Sequence, residues 1–170
     1  MSVAIVMTFD SSTDARIRRF WSVLEAEGLI VPNLGRPHMT LAQIDPDDLD
    51  RAADALAEVA AGVHGTRLLI DSLGLFPGEQ PVLFLNPVAN GGLLAMHRRV
   101  HDALRKSEVA REGSHGHYLP GSWVPHVTLG RLHEASRLGD ALAIVNGFRL
   151  RFEVTAVALS AMRTNAICPS

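Results

Sequence analysis

Apolar and polar positions along the chain fall into blocks that predict strands and helices in turn. Residues 3–10 are almost all apolar, which predicts a buried strand. Residues 11–29 carry apolar side chains three and four positions apart and include Gly28 near their end, which predicts a helix. Residues 37–44 alternate between the two kinds of side chain, as a strand does. The same criteria predict further helices at about 46–61, 90–107 and 134–146 and further strands at 66–76, 82–88, 123–132 and 148–162.

The order strand, helix, strand, helix, strand occurs twice. Pro-His-Met-Thr-Leu at 37–41 lies in the second strand of the first half, and Pro-His-Val-Thr-Leu at 125–129 lies in the second strand of the second half. Such a duplication predicts two similar lobes, at about 1–78 and 79–170, related by a pseudo-two-fold axis. Because no linker or low-complexity segment separates the halves, we expect residues 1–170 to form a single α+β domain with a cleft between the lobes.

The repeated motif puts chemically useful side chains on one face of each strand. Because side chains alternate along a strand, His38 and Thr40 share a face, and so do His126 and Thr128. Two histidines can take up and deliver protons near neutral pH, since the ordinary imidazole pKa is about 6.5. Threonine hydroxyls can donate to the oxygens of a phosphate. The pattern therefore predicts acid and base catalysis at a phosphodiester, without a metal.

Composition narrows the classes of partner and compartment. A net charge of −2 and a pI near 6.4 argue against a long nucleic-acid track held through counterion release. No apolar run approaches the roughly 18 residues that a membrane span requires, and the first ten residues lack the charged start of a signal peptide. Cys168 is the single cysteine, which agrees with a reducing compartment. We expect a cytoplasmic monomer that is not attached to a membrane.

With these two motifs and this duplicated order, the sequence resembles the two-histidine (2H) phosphoesterase superfamily. Within it, the chain is similar to the bacterial 2′-5′ RNA ligase-like proteins that are RNA 2′,3′-cyclic phosphodiesterases. The resemblance covers essentially the whole chain and implies a bilobal α+β fold with both motifs lining a central cleft. It implies that His38 protonates the departing ribose oxygen and that His126 activates water. The implied reaction is cofactor-free hydrolysis of a ribose 2′,3′-cyclic phosphate, at an RNA end or in a small nucleotide, to a 2′-phosphate. Reversible 2′-5′ RNA ligation is left open.

One basic residue close to the second motif extends the resemblance. Many relatives carry a basic residue shortly after this motif, and Arg131 matches it. The resemblance implies a phosphate clamp there, because a guanidinium can make two parallel hydrogen bonds to a phosphate. Gln43 stands at the matching place after the first motif, so a symmetric pair of arginines is absent. The predicted phosphate-binding set is therefore Thr40, Thr128 and Arg131.

The Gly- and His-rich segment 113–122 precedes the second motif and leaves several alternatives open. Tyr118 and Trp123 are capable of stacking on a nucleobase, although Trp123 also fits a core position at the start of a strand. His115 and His117 fit the turn composition of this segment. The other interpretation is that the segment borders the cleft and helps to hold the nucleoside.

A second histidine pair, His97 and His101, lies four residues apart on a predicted helix. This spacing can hold a metal, but no glutamate follows the first histidine and no third ligand is evident. We therefore expect an ordinary exposed helix face and no metal site.

Two other functions remain compatible with the motifs. One is a phosphodiesterase that acts on another small cyclic or 2′-5′-linked nucleotide, because such substrates need the same proton transfers. The other is a non-catalytic module that binds a nucleotide or an RNA end. The two intact His-x-Thr motifs favour an enzyme over a binding module. The motifs cannot separate the substrates, because specificity is carried by loops.

Overall fold

The computed structural model describes residues 2–32, 35–109 and 116–164. Within these residues, α-helices and β-strands follow one another in the duplicated order expected from the sequence. The strands are β1 (Ser2–Phe9), β2 (Ile30–Pro32), β3 (His38–Ile44), β4 (Arg67–Phe76), β5 (Val82–Pro87), β6 (Val127–Leu132) and β7 (Phe152–Thr164). The helices are α1 (Ser11–Ala26), α2 (Leu49–Ala61), α3 (Gly91–Lys106) and α4 (Leu138–Asn146). No helix in the described part of the chain is long and apolar enough to cross a membrane.

The structure differs from the predicted elements at three places. The short strand β2 was not predicted, and it pairs with β6. Residues 123–126 lie outside the sheet, since Pro125 has no N–H for a ladder and its carbonyl instead accepts from Nδ2 of Asn86 at 3.0 Å. The last strand begins later than predicted because the backbone N–H of Phe148 still donates to the turn that ends α4.

All seven strands form one antiparallel sheet in the order β2-β6-β5-β4-β7-β1-β3. The two motif strands, β3 and β6, are far apart in this order but lie against each other in space. The sheet is therefore strongly curved, and the cleft is the space between β3 and β6. This is an α+β fold, as expected from the sequence. Strand β7 of the second half pairs with β1, and β4 of the first half pairs with β5.

The helices connect the two halves by packing across them. Helix α1 follows the first strand of the first half but packs on β2 and β6, whereas α3 follows the first strand of the second half and packs on β3. Both helices begin at an equivalent side-chain cap. Asp10 accepts from the backbone N–H of Thr13, and Asn90 accepts from that of Leu93, each at 2.9 Å. Each motif strand is therefore supported by a helix from the opposite half of the sequence.

Each motif strand contains a β-bulge directly after its threonine. The pairing of β3 with β1 is regular except at Leu41, and that of β6 with β5 is regular except at Leu129. An extra residue of this kind shifts the alternation of side chains by one position. Gln43 therefore shares a face with Thr40, although a regular strand would turn it to the opposite face.

We expect Gly130→Ala to lower the free energy of unfolding by about 1–3 kcal/mol, the usual cost of overpacking. Gly130 follows the bulge in β6, and a Cβ there would lie 2.8 Å from Cδ1 of Ile30 and 2.9 Å from its Cβ. Urea unfolding measures the change. The matched control is Gly139→Ala in α4, where a Cβ would meet nothing within 4 Å and should raise stability by up to about 1 kcal/mol. Equal effects of the two variants would contradict the tight packing at Gly130.

Candidate active site

The two motif histidines occupy equivalent local environments. Nδ1 of His38 lies 2.7 Å from the carbonyl oxygen of Arg36, and Nδ1 of His126 lies 2.7 Å from that of Val124. In each motif the proline directly before the histidine restricts the backbone on both of its sides. The carbonyl of the residue before the proline is thereby held next to the imidazole ring. A carbonyl can only accept, so Nδ1 carries the hydrogen in each neutral ring. Nε2 then keeps its lone pair for a proton from another group.

Burial changes the acidity of both rings. It lowers the pKa of His38, and the hydrogen bond to Arg36 opposes this in part. It also lowers the pKa of His126, where the hydrogen bond to Val124 opposes the effect and the nearby charges of His38 and His117 add to it. The two motif histidines are therefore close enough to interact electrostatically. Without a bound anion, both rings are neutral near pH 7.

The two motif threonines are held by reciprocal contacts between the halves. The indole Nε1 of Trp123 donates to the backbone oxygen of Thr40 at 3.1 Å, and Nε1 of Trp21 donates to that of Thr128 at 3.1 Å. Thr40 is buried and Thr128 is half-buried. Each tryptophan comes from the half of the chain that does not contain its threonine. The indole N–H groups therefore fix both motif strands at the point where their side chains face the cleft.

Arg131 lies on the same face of β6 as Thr128. Strict alternation would put a residue three positions after Thr128 on the opposite face, but the bulge at Leu129 returns it to the cleft side. Arg131 is half-buried there. Gln43 lies at the equivalent place in β3, so the cleft has one guanidinium and one amide where a symmetric site would have two like groups.

Aromatic side chains surround His126 in a way that motif analysis did not predict. The ring of Phe76 lies edge-on to that of His126 with centroids 5.0 Å apart, and the ring of Phe84 is 5.5 Å away. The Tyr118 ring is 6.1 Å from His126, and the His117 ring is 6.5 Å from that of Phe76. In the sequence, both phenylalanines occupy ordinary positions of predicted strands, and nothing there links them to the motif. Only the pairing of β4 with β5, and of β5 with β6, brings the phenylalanines next to the motif.

The predicted base-stacking residues have different surroundings. Trp123 is only 8% exposed, and its ring is stacked on that of His97 at 4.0 Å, which favours the core position over a contact with a base. Tyr118 is half-buried beside His126, so the described end of its segment borders the cleft. His115, like Cys168, lies outside the described residues.

The expectation of an exposed helix face at His97 and His101 is wrong. These residues are 1% and 4% exposed, because they continue the buried face of α3 that includes Leu93, Val100 and Leu104. The helical spacing of these five positions was a signal in the sequence for burial. Burial, with a smaller contribution from the neighbouring histidine, lowers the pKa of His97 to about 4. Among the described residues, no three or more His, Cys, Asp or Glu side chains are grouped so that they could hold a metal.

A curved, duplicated sheet that brings two His-x-Thr strands to one cleft defines the class of two-histidine phosphoesterases. The sequence profile of the 2'-5' RNA ligase superfamily matches residues 9–166, and the chain belongs to this superfamily. Both the family and the α+β fold inferred from the sequence are thereby confirmed. Family membership supports a phosphoesterase-type activity.

The chain is also similar to solved structures of low sequence identity. The chain is similar to the MHV ns2 PDE domain with a TM-score of 0.54 and 16% identity, over 92% of this chain and 99% of that one. It is similar to a crystal structure described as a phosphoesterase with a TM-score of 0.53 and 18% identity, over 96% of this chain and 99% of that one. Among curated proteins, none matches the chain.

We expect His38 and His126 both to carry their neutral-state hydrogen on Nδ1 and to become protonated below about pH 6.5, the ordinary histidine value. The backbone carbonyls set the tautomer, and burial lowers each pKa. Long-range proton–nitrogen NMR of the ¹⁵N-histidine-labelled protein measures both properties in one pH series, with His38→Ala and His126→Ala to assign the signals. A hydrogen on Nε2, or protonation well above pH 6.5, would contradict this geometry.

Proposed function

We propose that the chain hydrolyses a ribose 2′,3′-cyclic phosphate, at an RNA end or in a small nucleotide, to a 2′-phosphate. The observation that carries the proposal is the matched pair of imidazoles in one cleft, each with Nδ1 held by a carbonyl and Nε2 left for proton transfer. In-line attack at phosphorus needs a base on one side and an acid on the other. A duplicated site supplies the same group on both sides.

In the proposed reaction, Nε2 of His126 takes a proton from water as the water oxygen forms a bond to phosphorus. The bond from phosphorus to the ribose 3′ oxygen breaks, and His38 gives a proton to that oxygen. His126 ends protonated and His38 neutral, and exchange with solvent restores the starting state. Because burial lowers the pKa of His38, the phosphate anion must help to keep it protonated. No metal takes part in these proton transfers.

The non-bridging phosphate oxygens gain charge during this step and need donors. We assign the hydroxyls of Thr40 and Thr128 to these oxygens, together with the guanidinium of Arg131. Support for Arg131 comes from the bulge that turns it to the face of Thr128. Its counterpart Gln43 carries no charge. The guanidinium that we assign to the phosphate therefore lies on the His126 side of the cleft.

The surroundings of the two histidines favour one orientation of the substrate. We place the nucleobase beside Tyr118 and Phe76, because aromatic rings next to His126 offer a stacking surface. The β1 and β7 residues on the face of Thr40 are small or aliphatic, as at Val6 and Ser160. We further propose that the substrate is an RNA terminus or a small nucleotide. We also propose that the protein acts as a monomer in the cytoplasm.

We expect His38→Ala and His126→Ala each to lower kcat at least about 100-fold, the usual scale for a lost general acid or base. The assay uses a panel of 2′,3′-cyclic nucleotides with excess EDTA, and circular dichroism checks the fold. The matched control is His64→Ala, an exposed histidine in the turn between α2 and β4, which should keep the wild-type rate. Wild-type rates in either motif variant would contradict the two-histidine mechanism. Activity that appears only after Zn²⁺ is added would contradict a metal-independent mechanism.

We expect an RNA oligonucleotide with a terminal 2′,3′-cyclic phosphate to yield the 2′-phosphate alone. An acid fixed on one strand can protonate only the ribose oxygen that faces it, so a positioned pair gives one product. Phosphorus NMR of the product distinguishes the two isomers. A mixture of 2′- and 3′-phosphates would contradict the proposed geometry. A panel with other cyclic and 2′-5′-linked nucleotides tests the alternative substrates, and binding of all of them without turnover would favour a binding module.

A further inference from the structure

The buried face of α3 carries two hydrogen-bond donors that the proposed proton transfers do not use. Nε2 of His97 lies 3.1 Å from the carbonyl oxygen of Leu41, and Nε2 of His101 lies 3.0 Å from the same oxygen. Leu41 is the bulged residue of the first motif. Because this oxygen can only accept, both rings donate to it through Nε2. Two side chains of one helix thus hold a single backbone group directly after Thr40.

These contacts lie on an edge of the sheet that no strand of the described residues covers. Strand β3 is the last strand in the sheet order, and its other edge is hydrogen-bonded to β1. On the uncovered edge, Trp123 donates to the backbone oxygen of Thr40, and its ring is parallel to that of His97 to within 1°. His97, His101 and Trp123 therefore form one cluster, which we call the β3 clamp. It holds two consecutive carbonyls of the motif.

The β3 clamp also reaches the other side of the cleft. Nε2 of His97 lies 3.0 Å from the carbonyl oxygen of Tyr118 as well as near that of Leu41. The ring of Tyr118 is 6.1 Å from that of His126. One N–H group is thus shared between the strand that carries His38 and the segment beside His126. A donor in this position can set the separation between the two halves of the site.

The second motif has a donor at the equivalent helical position. Counted from the cap residues Asp10 and Asn90, Trp21 in α1 and His101 in α3 stand at the same place, eleven residues on. Trp21 donates to the backbone of Thr128, and His101 donates to the backbone of Leu41. Two residue types at one helical position thus donate across the halves, Trp21 to the motif threonine and His101 to the residue after the other motif threonine. This equivalence indicates that the donor matters at this position more than the side chain that supplies it.

We propose that His97 and His101, with Trp123, are positioning residues that hold the β3 bulge and thereby align His38 and Thr40 with the His126 side of the cleft. The inference rests on the proposed function, since alignment matters only for a reaction between the two sides. Proton transfer in line with attack is sensitive to displacement, and about 1 Å of misplacement can cost about 100-fold in rate. The clamp contacts backbone carbonyls and takes no part in the proposed proton transfers.

The deciding experiment compares His97→Leu with His97→Gln. Both variants lose the ring and its stacking on Trp123, but glutamine keeps N–H groups that reach the place of Nε2. For His97→Leu we expect kcat to fall at least about 10-fold with KM within about 2-fold, and for His97→Gln we expect most of the rate to return. The control is Val100→Ala, a packing loss on the same buried face of α3. Urea unfolding of all three variants separates stability from rate.

A second readout does not depend on turnover. The imidazole NMR signals of His38 should shift in His97→Leu, return in His97→Gln and stay in place in Val100→Ala. If the wild-type protein opens no cyclic phosphate, the proposed function fails, whereas this pattern of shifts would still support the clamp. If His97→Leu does not fold, Trp123→Phe removes the donor to Thr40 and keeps an aromatic ring, with the same expected shift at His38.

Three outcomes would overturn the positioning role. The first is a His97→Leu protein that folds with the wild-type kcat and unmoved His38 signals. The second is a loss of rate in His97→Leu that His97→Gln fails to restore. The third is an equal loss of rate in Val100→Ala at equal stability, which would assign the effect to core packing.

Discussion

The extra residue that follows the threonine in each motif strand controls which groups meet in the cleft. At Leu129 it returns Arg131 to the face of Thr128, and at Leu41 it lies where α3 can donate to the strand. A regular strand would bury a guanidinium in the core at this place, at a high cost in desolvation. The repetition of the bulge in both halves therefore links the order of residues in the motif to the chemistry of the site.

Burial and proton transfer make opposite demands on the motif histidines. Burial lowers the pKa of both rings and suits a base, which must be neutral, but it works against an acid, which must be protonated. Hydrogen bonds from Nδ1 to backbone carbonyls moderate the effect and fix the tautomer. In the proposed mechanism the remaining charge comes from the phosphate itself. Identical residues can then take different roles because the substrate is asymmetric and because different side chains surround the two histidines.

The two motif strands and their surroundings are similar in backbone structure but differ in side chains. Aromatic rings at Phe76 and Tyr118 lie beside His126, whereas a buried cluster of His97, His101 and Trp123 supports the strand of His38. In the proposed mechanism the rings beside His126 contact the base. The buried cluster instead holds the edge of β3, beside which no other strand of the described residues lies. This division explains how two copies of one unit could come to serve one reaction.

Sequence alone determined the duplicated order of elements, the α+β class, the family and the two His-x-Thr motifs, because these depend on local periodicity and on short spacings. It also contained the signal for burial of His97 and His101, which continue an apolar helical face. Sequence could not determine that Arg131 faces the cleft, since strict alternation puts it on the other side and a bulge is visible only in strand pairing. Nor could it bring Phe76 to His126, because that contact depends on how separate strands pair and curve. Residues far apart in the chain meet only when the strands pair and the sheet curves, so that geometry is decided by the tertiary structure.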